Sequence, residues 1–134
     1  MSSASLELQD LVLARLRADA AIAAIVGTRI HDGTAAKPYP AITLGASDWV
    51  PDEADCIDGR VETLQIDCWT EAGGKLWPAR QLADLVAASL HDYAGEMTVH
   101  ALAEIRVVLV RVLRDPGGIV GHGVVQVAAM IEAP

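Results

Sequence analysis

Aromatic side chains are scarce in this chain of 134 residues. Phenylalanine is absent and aromatic residues make up 4% of the sequence, although 52% of it is hydrophobic. The core must therefore be built mainly from alanine, valine, leucine and isoleucine. Side chains of this kind favour closely packed helices and sheets, and they leave little material for a deep, aromatic-lined ligand pocket.

Long apolar runs, catalytic signatures and a cysteine framework are also missing. No run reaches the roughly 18 residues of a membrane-spanning helix, and the N-terminus lacks the basic and apolar regions of a signal peptide. The motifs G-x-S-x-G, H-E-x-x-H and C-x-x-C do not occur. Of the two cysteines, Cys68 alternates with apolar residues like a core side chain, and Cys56 lies in a polar segment. A cytosolic protein without a disulfide, a metal or a cofactor is expected.

Two features resemble functional sites only weakly. Residues 73–75 (GGK) precede a predicted helix, as in a phosphate-binding loop. However, the first glycine of that motif would be Trp69, and Leu76 replaces its serine or threonine, so a flexible turn is the better interpretation. The four histidines lie far apart in the sequence, and His122, between two glycines, is expected to satisfy local backbone groups.

Negative charge is concentrated in one segment. The formal net charge is −8, and residues 48–71 contain eight acids against one base, Arg60. An acidic chain without a basic stripe is poorly suited to gripping nucleic acid. Three arginines, Arg106, Arg111 and Arg114, instead lie close together near the C-terminus. The sequence thus predicts two patches of opposite charge.

Hydrophobic periodicity predicts one α+β domain over residues 1–134. Turn chemistry between consecutive strands predicts a mostly antiparallel sheet, with a long helix packed on one face and an N-terminal helical segment. Residues 48–61 have no periodicity and contain Pro51, so a mobile acidic loop is expected there. Helices are predicted over residues 5–18, 20–26 and about 73–92, and strands over residues 41–47, 62–70, 104–114 and 123–132.

The C-terminal hairpin is apolar on both faces. Because side chains alternate along a strand, one face is expected to carry Ile105, Val107 and Leu109, and the other Val108, Val110 and Val112. A helix of the same chain can cover one face. The second face needs either another helix or another subunit, and this is a first indication of an assembly protein. Two edge tryptophans are open to either core packing or a subunit contact. The predicted subunit interface contains Arg106, Val108, Val110, Arg111, Val112, Arg114, Trp49 and Trp77.

Three stretches of the chain, residues 15–47, 64–92 and 111–132, resemble one known family. Their marks are V-G-T-R-I-H-D, P-Y-P before a strand, E-A-G-G between a strand and a helix, and the hairpin R-D-P-G-G…H-G-V. In this order and spacing they resemble the tail-completion, or tail-terminator, proteins of tailed phages, prophages and gene transfer agents. The chain departs from the usual pattern at Gly121, where an arginine often precedes the histidine, and at Pro78 in the helix.

The resemblance implies a structural protein of the virion, assembled in the bacterial cytoplasm, with no enzymatic activity, cofactor or membrane contact. Such proteins form a ring, commonly a hexamer, at the head-proximal end of the tail tube. The ring stops polymerisation of the tube protein, contacts a head-completion or stopper protein, and lets DNA pass through its lumen without tight binding.

Within such a ring, one patch must complement a different patch on the neighbouring subunit. The acidic segment and the three arginines are expected to set the register between neighbours. The acids expected to face the lumen or the rim are Asp48, Asp52, Glu53, Asp55 and Asp58.

Three other functions stay open on the sequence alone. The first is a head–tail adaptor or stopper protein of similar α+β build. The second is a small ligand-binding α+β dimer, which tight dimers that never close a ring would favour. The third is a metal-dependent enzyme using His31, His122 and the acidic segment, which stoichiometric zinc would favour.

Overall fold

Three helices and one five-stranded sheet make up the computed structural model, which describes residues 3–34, 37–52 and 58–134. The strand order is β1-β2-β3-β5-β4; β1 runs parallel to β2, and all other neighbours are antiparallel. The predicted α+β class with a mostly antiparallel sheet is confirmed. The elements are α1 (Ala4–Ala18), α2 (Ala20–Val26), β1 (Ile30–His31), β2 (Ala41–Asp52), β3 (Gly59–Glu71), α3 (Trp77–Leu90), β4 (Ala101–Arg114) and β5 (Val120–Glu132).

Local signals set the ends of the helices. The Ser3 side chain accepts a hydrogen bond from the N–H of Leu6 at the start of α1, and Asp19 caps α2 in the same way. Gly27 caps the C-terminus of α2, and its φ of 61° suits glycine. Pro78 lies in the first turn of α3, where its missing N–H breaks no helical hydrogen bond. Among the described residues, no helix is both long and apolar enough to cross a membrane.

The core lies between the helices and one face of the sheet, here called the helix face. Each large apolar side chain buried there contributes about 1.5–3 kcal/mol. The opposite face of the sheet, here called the open face, has no helix over it in the described part of the chain. Side chains with 2% or less of their surface exposed in this core include Leu8, Leu16, Ile22, Ile66, Leu82, Val86, Ile105, Val125 and Ile131.

Strands replace much of the loop predicted over residues 48–61. β2 continues to Asp52 and β3 begins at Gly59, and these two residues pair with each other. The prediction of a loop is therefore wrong for the parts of this segment that the structure describes. Residues 53–57 lie outside them.

An edge position explains how Pro51 fits within a strand. Proline cannot donate to a sheet ladder, but on an edge strand its missing N–H can face away from the neighbour. Within the described ranges, β1 pairs with β2 only at Ile42 and Thr43, so the rest of β2 borders the sheet. Antiparallel pairing with β3 on the other side outweighs the low strand preference of the acidic residues.

An irregularity in β4 changes which of its side chains share a face. The register against β5 shifts between Val107 and Leu109, and each inserted residue reverses the alternation that follows it. Val110 pairs with the buried Val125 and lies on the helix face with Val107, whereas Leu109 pairs with Gln126 on the open face. The predicted division of β4 into two alternating sets is therefore wrong beyond the bulge.

Candidate functional site

β4 is the last strand of the sheet, and its outer edge has no neighbouring strand in the described chain. The first half of this edge is covered by the segment after α3. The N–H of Asp92 donates to the carbonyl of Ile105 at 2.9 Å, and the N–H of Val107 donates to Nδ1 of His91 at 3.1 Å. The second half carries three exposed apolar side chains, which are Val108 (55% exposed), Leu109 (44%) and Val110 (39%).

The three arginines of β4 differ in whether their guanidinium groups contact a partner within the chain. Nε of Arg106 lies 3.5 Å from the carboxylate of Glu104, and Nε of Arg114 donates to the carbonyl of Gly74 at 2.8 Å. Arg111 is exposed and makes no ion pair with any residue that the structure describes. Its charge is the one most available to another molecule. The remaining predicted interface residue of this strand, Val112, is half-buried on the helix face.

The acidic segment separates into internal and outward-facing carboxylates. Glu62 is 1% exposed; it accepts a hydrogen bond from Oγ of Ser5 at 3.0 Å and lies 3.5 Å from the guanidinium of Arg60. Two of the predicted rim acids, Asp48 and Asp58, are exposed, and Asp52 is half-buried. Glu53 and Asp55 lie outside the described residues. The outward negative charge is thus located at the β2–β3 end of the sheet.

Both predicted edge tryptophans are accessible to solvent. The ring of Trp49 stacks against the guanidinium of Arg60, with 3.9 Å from the central carbon to the ring centre, yet it is still 48% exposed. Trp77, at the start of α3, is 63% exposed. Neither ring is enclosed in the core, so both are free to contact another subunit.

A polar cluster on the open face was missed by the sequence-based predictions. His122 stacks on Trp69 with ring centres 3.9 Å apart, and its Nε2 lies 2.7 Å from Oδ1 of Asp67. Gln65 donates to the same oxygen at 2.9 Å, and Nε1 of Trp69 donates to Thr43 at 2.9 Å. His122 is therefore paired with a carboxylate, not with local backbone groups as predicted. The alternation of Asp67 and Trp69 indicated a shared face, but only the pairing of β3 with β5 brings His122 to it.

The described residues hold no group of three or more histidine, cysteine, aspartate or glutamate side chains arranged to bind a metal ion. Cys68 is free and fully buried, as predicted for a core side chain. Burial raises the pKa of its thiol and keeps it from forming a reactive thiolate. The notable features of the surface are therefore an apolar edge and two charged patches.

A family model described as tail completion protein gp17 matches residues 10–132. The chain belongs to this family. It is therefore a structural tail protein of a virion and not an enzyme, which confirms the resemblance seen in the sequence.

Two solved structures have the same fold as this tail completion protein. A chain from the virion of a native gene transfer agent particle is 23% identical, with a TM-score of 0.88 over 99% of this chain and 100% of that chain. The gp17 protein of bacteriophage SPP1 is 20% identical, with a TM-score of 0.61 over 94% of this chain and 89% of that chain. No curated protein matches the sequence. At these identities the likeness establishes the fold of the tail completion protein alone.

Proposed function

We propose that this tail completion protein closes into a ring on the end of the tail tube. The ring, a hexamer as the resemblance implies, stops polymerisation of the tube protein and joins the tube to a head-completion or stopper protein. The main support is the second half of β4, where Val108, Leu109 and Val110 are exposed beside Arg111, which makes no ion pair with a described residue. Apolar surface of this kind on a small protein is characteristic of an interaction site.

The contact between neighbours joins two different patches. A ring needs heterologous contacts, in which one surface of each copy meets another surface of the next copy. The chain carries a basic patch on β4 and an acidic patch at the β2–β3 end, and opposite charges of this kind fix register more than they add affinity. The proposed contact residues are Arg106, Val108, Val110, Arg111, Val112, Arg114, Trp49 and Trp77.

The lumen of the ring carries negative charge in this proposal. Asp48, Asp52 and Asp58 face the lumen or the rim that meets the tube. A surface of this sign makes no contacts with phosphates and releases no counterions, so duplex DNA passes through without being held. The overall charge of −8 agrees with such a passage.

Polymerisation of the purified tube protein tests this function. Added in excess over tube ends, the tail completion protein is expected to shorten the tubes and to appear at one end of each, because a capped end cannot add further tube protein. Bovine serum albumin at the same concentration serves as the inert control. Tubes that reach the same length with and without the protein would rule out a role in termination.

A further inference from the structure

In the described part of the chain, parts of β2 and β4 have an open strand edge, and we propose that these edges pair with each other between neighbouring copies. The second half of β4 in one copy adds, antiparallel, to the free part of β2 in the next copy. This inference rests on the proposed ring and specifies how it closes.

The free part of β2 is a short window. At one end, β1 covers Ile42 and Thr43, and at the other end Pro51 lacks the N–H that a ladder needs. Between these limits lie residues 44–50, which have no strand on this side in the described chain, while Leu44 and residues 47–50 pair with β3 on the other side. Val50 in this window is 59% exposed, more than any large apolar side chain of β4.

The free part of β4 is a window of similar length. Its edge is covered at Ile105 and Val107 by the contacts of His91 and Asp92, and the strand ends at Arg114. Residues 108–114 therefore remain for pairing. Each of the two edges has seven open residues, so the two windows match in length.

Strand direction in the sheet makes the pairing antiparallel. The four long strands in the order β2-β3-β5-β4 alternate in direction, so β2 and β4 run in opposite directions. Neighbouring copies in a ring are related by rotation about its axis. Equivalent strands of two copies therefore run in the same sense along the axis, and equivalent faces of their sheets have the same orientation relative to it. The β2 strand of the next copy thus arrives beside β4 in the antiparallel sense, without any copy turning over.

One register satisfies both faces of the combined sheet. Placing Asp48 opposite Arg111 pairs two opposite charges, because the pairing of Asp48 with Thr63 and of Arg111 with Val124 puts both on the open face. The same register sets Val50 against Leu109 on that face and Trp49 against Val110 on the helix face. Opposed charges and apolar pairs each stabilise a sheet.

The register also agrees with a closed ring of strands. Within one copy, Asp48 pairs with Thr63, Thr63 with Ala128, and Ala128 with Arg106, so Asp48 and Arg106 occupy the same row across the sheet. Pairing with Arg111 requires a shift of about four residues once the extra residue of the bulge is subtracted. A shift of four residues along a strand is about 13 Å, and four strands side by side are about 19 Å wide. This ratio corresponds to a strand tilt of about 35° from the ring axis, and the strands of closed barrels tilt by about 35–45°.

Charge reversals on the two edges test this pairing. Arg111→Glu and Asp48→Arg each place like charges opposite each other, and the ring fraction of either variant in low salt is expected to fall about tenfold. An equal mixture of the two variants is expected to recover the ring. When the variants alternate around it, each contact joins either the two substituted side chains, whose charges are again opposite, or the two native ones. Native mass spectrometry and light scattering measure the ring fraction.

Matched controls separate pairing from general effects of charge. Arg80→Glu and Asp84→Arg reverse exposed charges on α3 and are expected to leave the ring intact. Thermal unfolding verifies that every variant folds, since substitutions of exposed residues outside special contacts change stability little.

The outcomes distinguish the two proposals. A native ring that both reversals leave unchanged, or two weakened variants that do not recover on mixing, contradicts strand pairing and leaves the ring in place. A native chain that stays monomeric at every concentration contradicts the ring and strand pairing together. Recovery in the mixture, with weakening of each variant alone, supports the pairing.

Discussion

Two neighbouring glycines before α3 differ in what surrounds them, although both have positive φ values. A Cβ atom on Gly74 would lie 2.8 Å from the carbonyl oxygen of Gly118 in the β4–β5 turn, whereas one on Gly73 would meet nothing within 4 Å. The N–H of Gly74 also donates to the carbonyl of Ile119. Gly74 therefore allows a close approach between the start of α3 and the hairpin, while Gly73 only makes a turn.

Alanine substitutions at these positions are expected to differ in cost. Gly73→Ala adds the strain of positive φ, about 1 kcal/mol, to the free energy of folding. Gly74→Ala adds similar strain and forces two backbone segments apart, for a total of about 2–4 kcal/mol. Urea denaturation measures both values. Equal losses in the two variants would show that the contact with Gly118 does not hold the hairpin.

The pairing of Asp67 with His122 shows where inference about single residues reaches its limit. Strand alternation alone is enough to place Asp67 on the face of β3 opposite its neighbour Cys68. It does not indicate which residue meets that carboxylate, because the partner is 55 positions away. Such a contact depends on the register between β3 and β5, and no local pattern determines that register.

Glu7 on α1 holds the segment that leads into β4. Its carboxylate accepts hydrogen bonds from the backbone N–H groups of Val99 and His100 and contacts the His100 ring. The N–H of Val99 is the main cause that lowers the pKa of Glu7 below its ordinary value of 4.5; His100 adds to it and desolvation opposes it. A carboxyl whose pKa is lowered by folding stabilises the protein while it is ionised.

Glu7→Gln is therefore expected to lower the free energy of unfolding at neutral pH. Because the folded pKa lies below 4.5, the advantage of the native protein is complete above that value and is lost as the pH falls through the folded pKa. Urea denaturation from about pH 7 down to about pH 3 should show the two curves converging. Asp10→Asn, at an exposed carboxyl of the same helix, is the control. If the free energies of unfolding of the native protein and Glu7→Gln differ by the same amount down to the lowest pH, the ionised Glu7 carboxylate does not stabilise the segment before β4.

The elements themselves were predictable to different degrees. The helices and the strand β3 follow from periodicity and capping, which act within a few residues. The extension of β2 to Asp52 was not predicted, because acidic residues and Pro51 favour a loop unless a partner strand lies alongside. The bulge at Val108 escaped prediction for the same reason, since a register shift exists only between two paired strands.

The whole molecule has more apolar surface at one edge of its sheet than its helices cover. Its helices pack on one face, the open face is bound together by the cluster around Asp67, and β4 leaves Val108, Leu109 and Val110 exposed. Opposite charges lie on the two borders of the sheet, with Asp48 on β2 and Arg111 on β4. In the proposed ring, neighbouring copies of the tail completion protein cover this edge for one another.

Electron microscopy of tail tubes capped with the purified protein tests this account most directly. We expect a single ring at one end of each tube, in which β4 of every copy runs beside β2 of its neighbour and the sheet continues around the lumen. Tubes whose ends carry no ring, or a ring in which β4 faces solvent and other surfaces form the contacts, would contradict it.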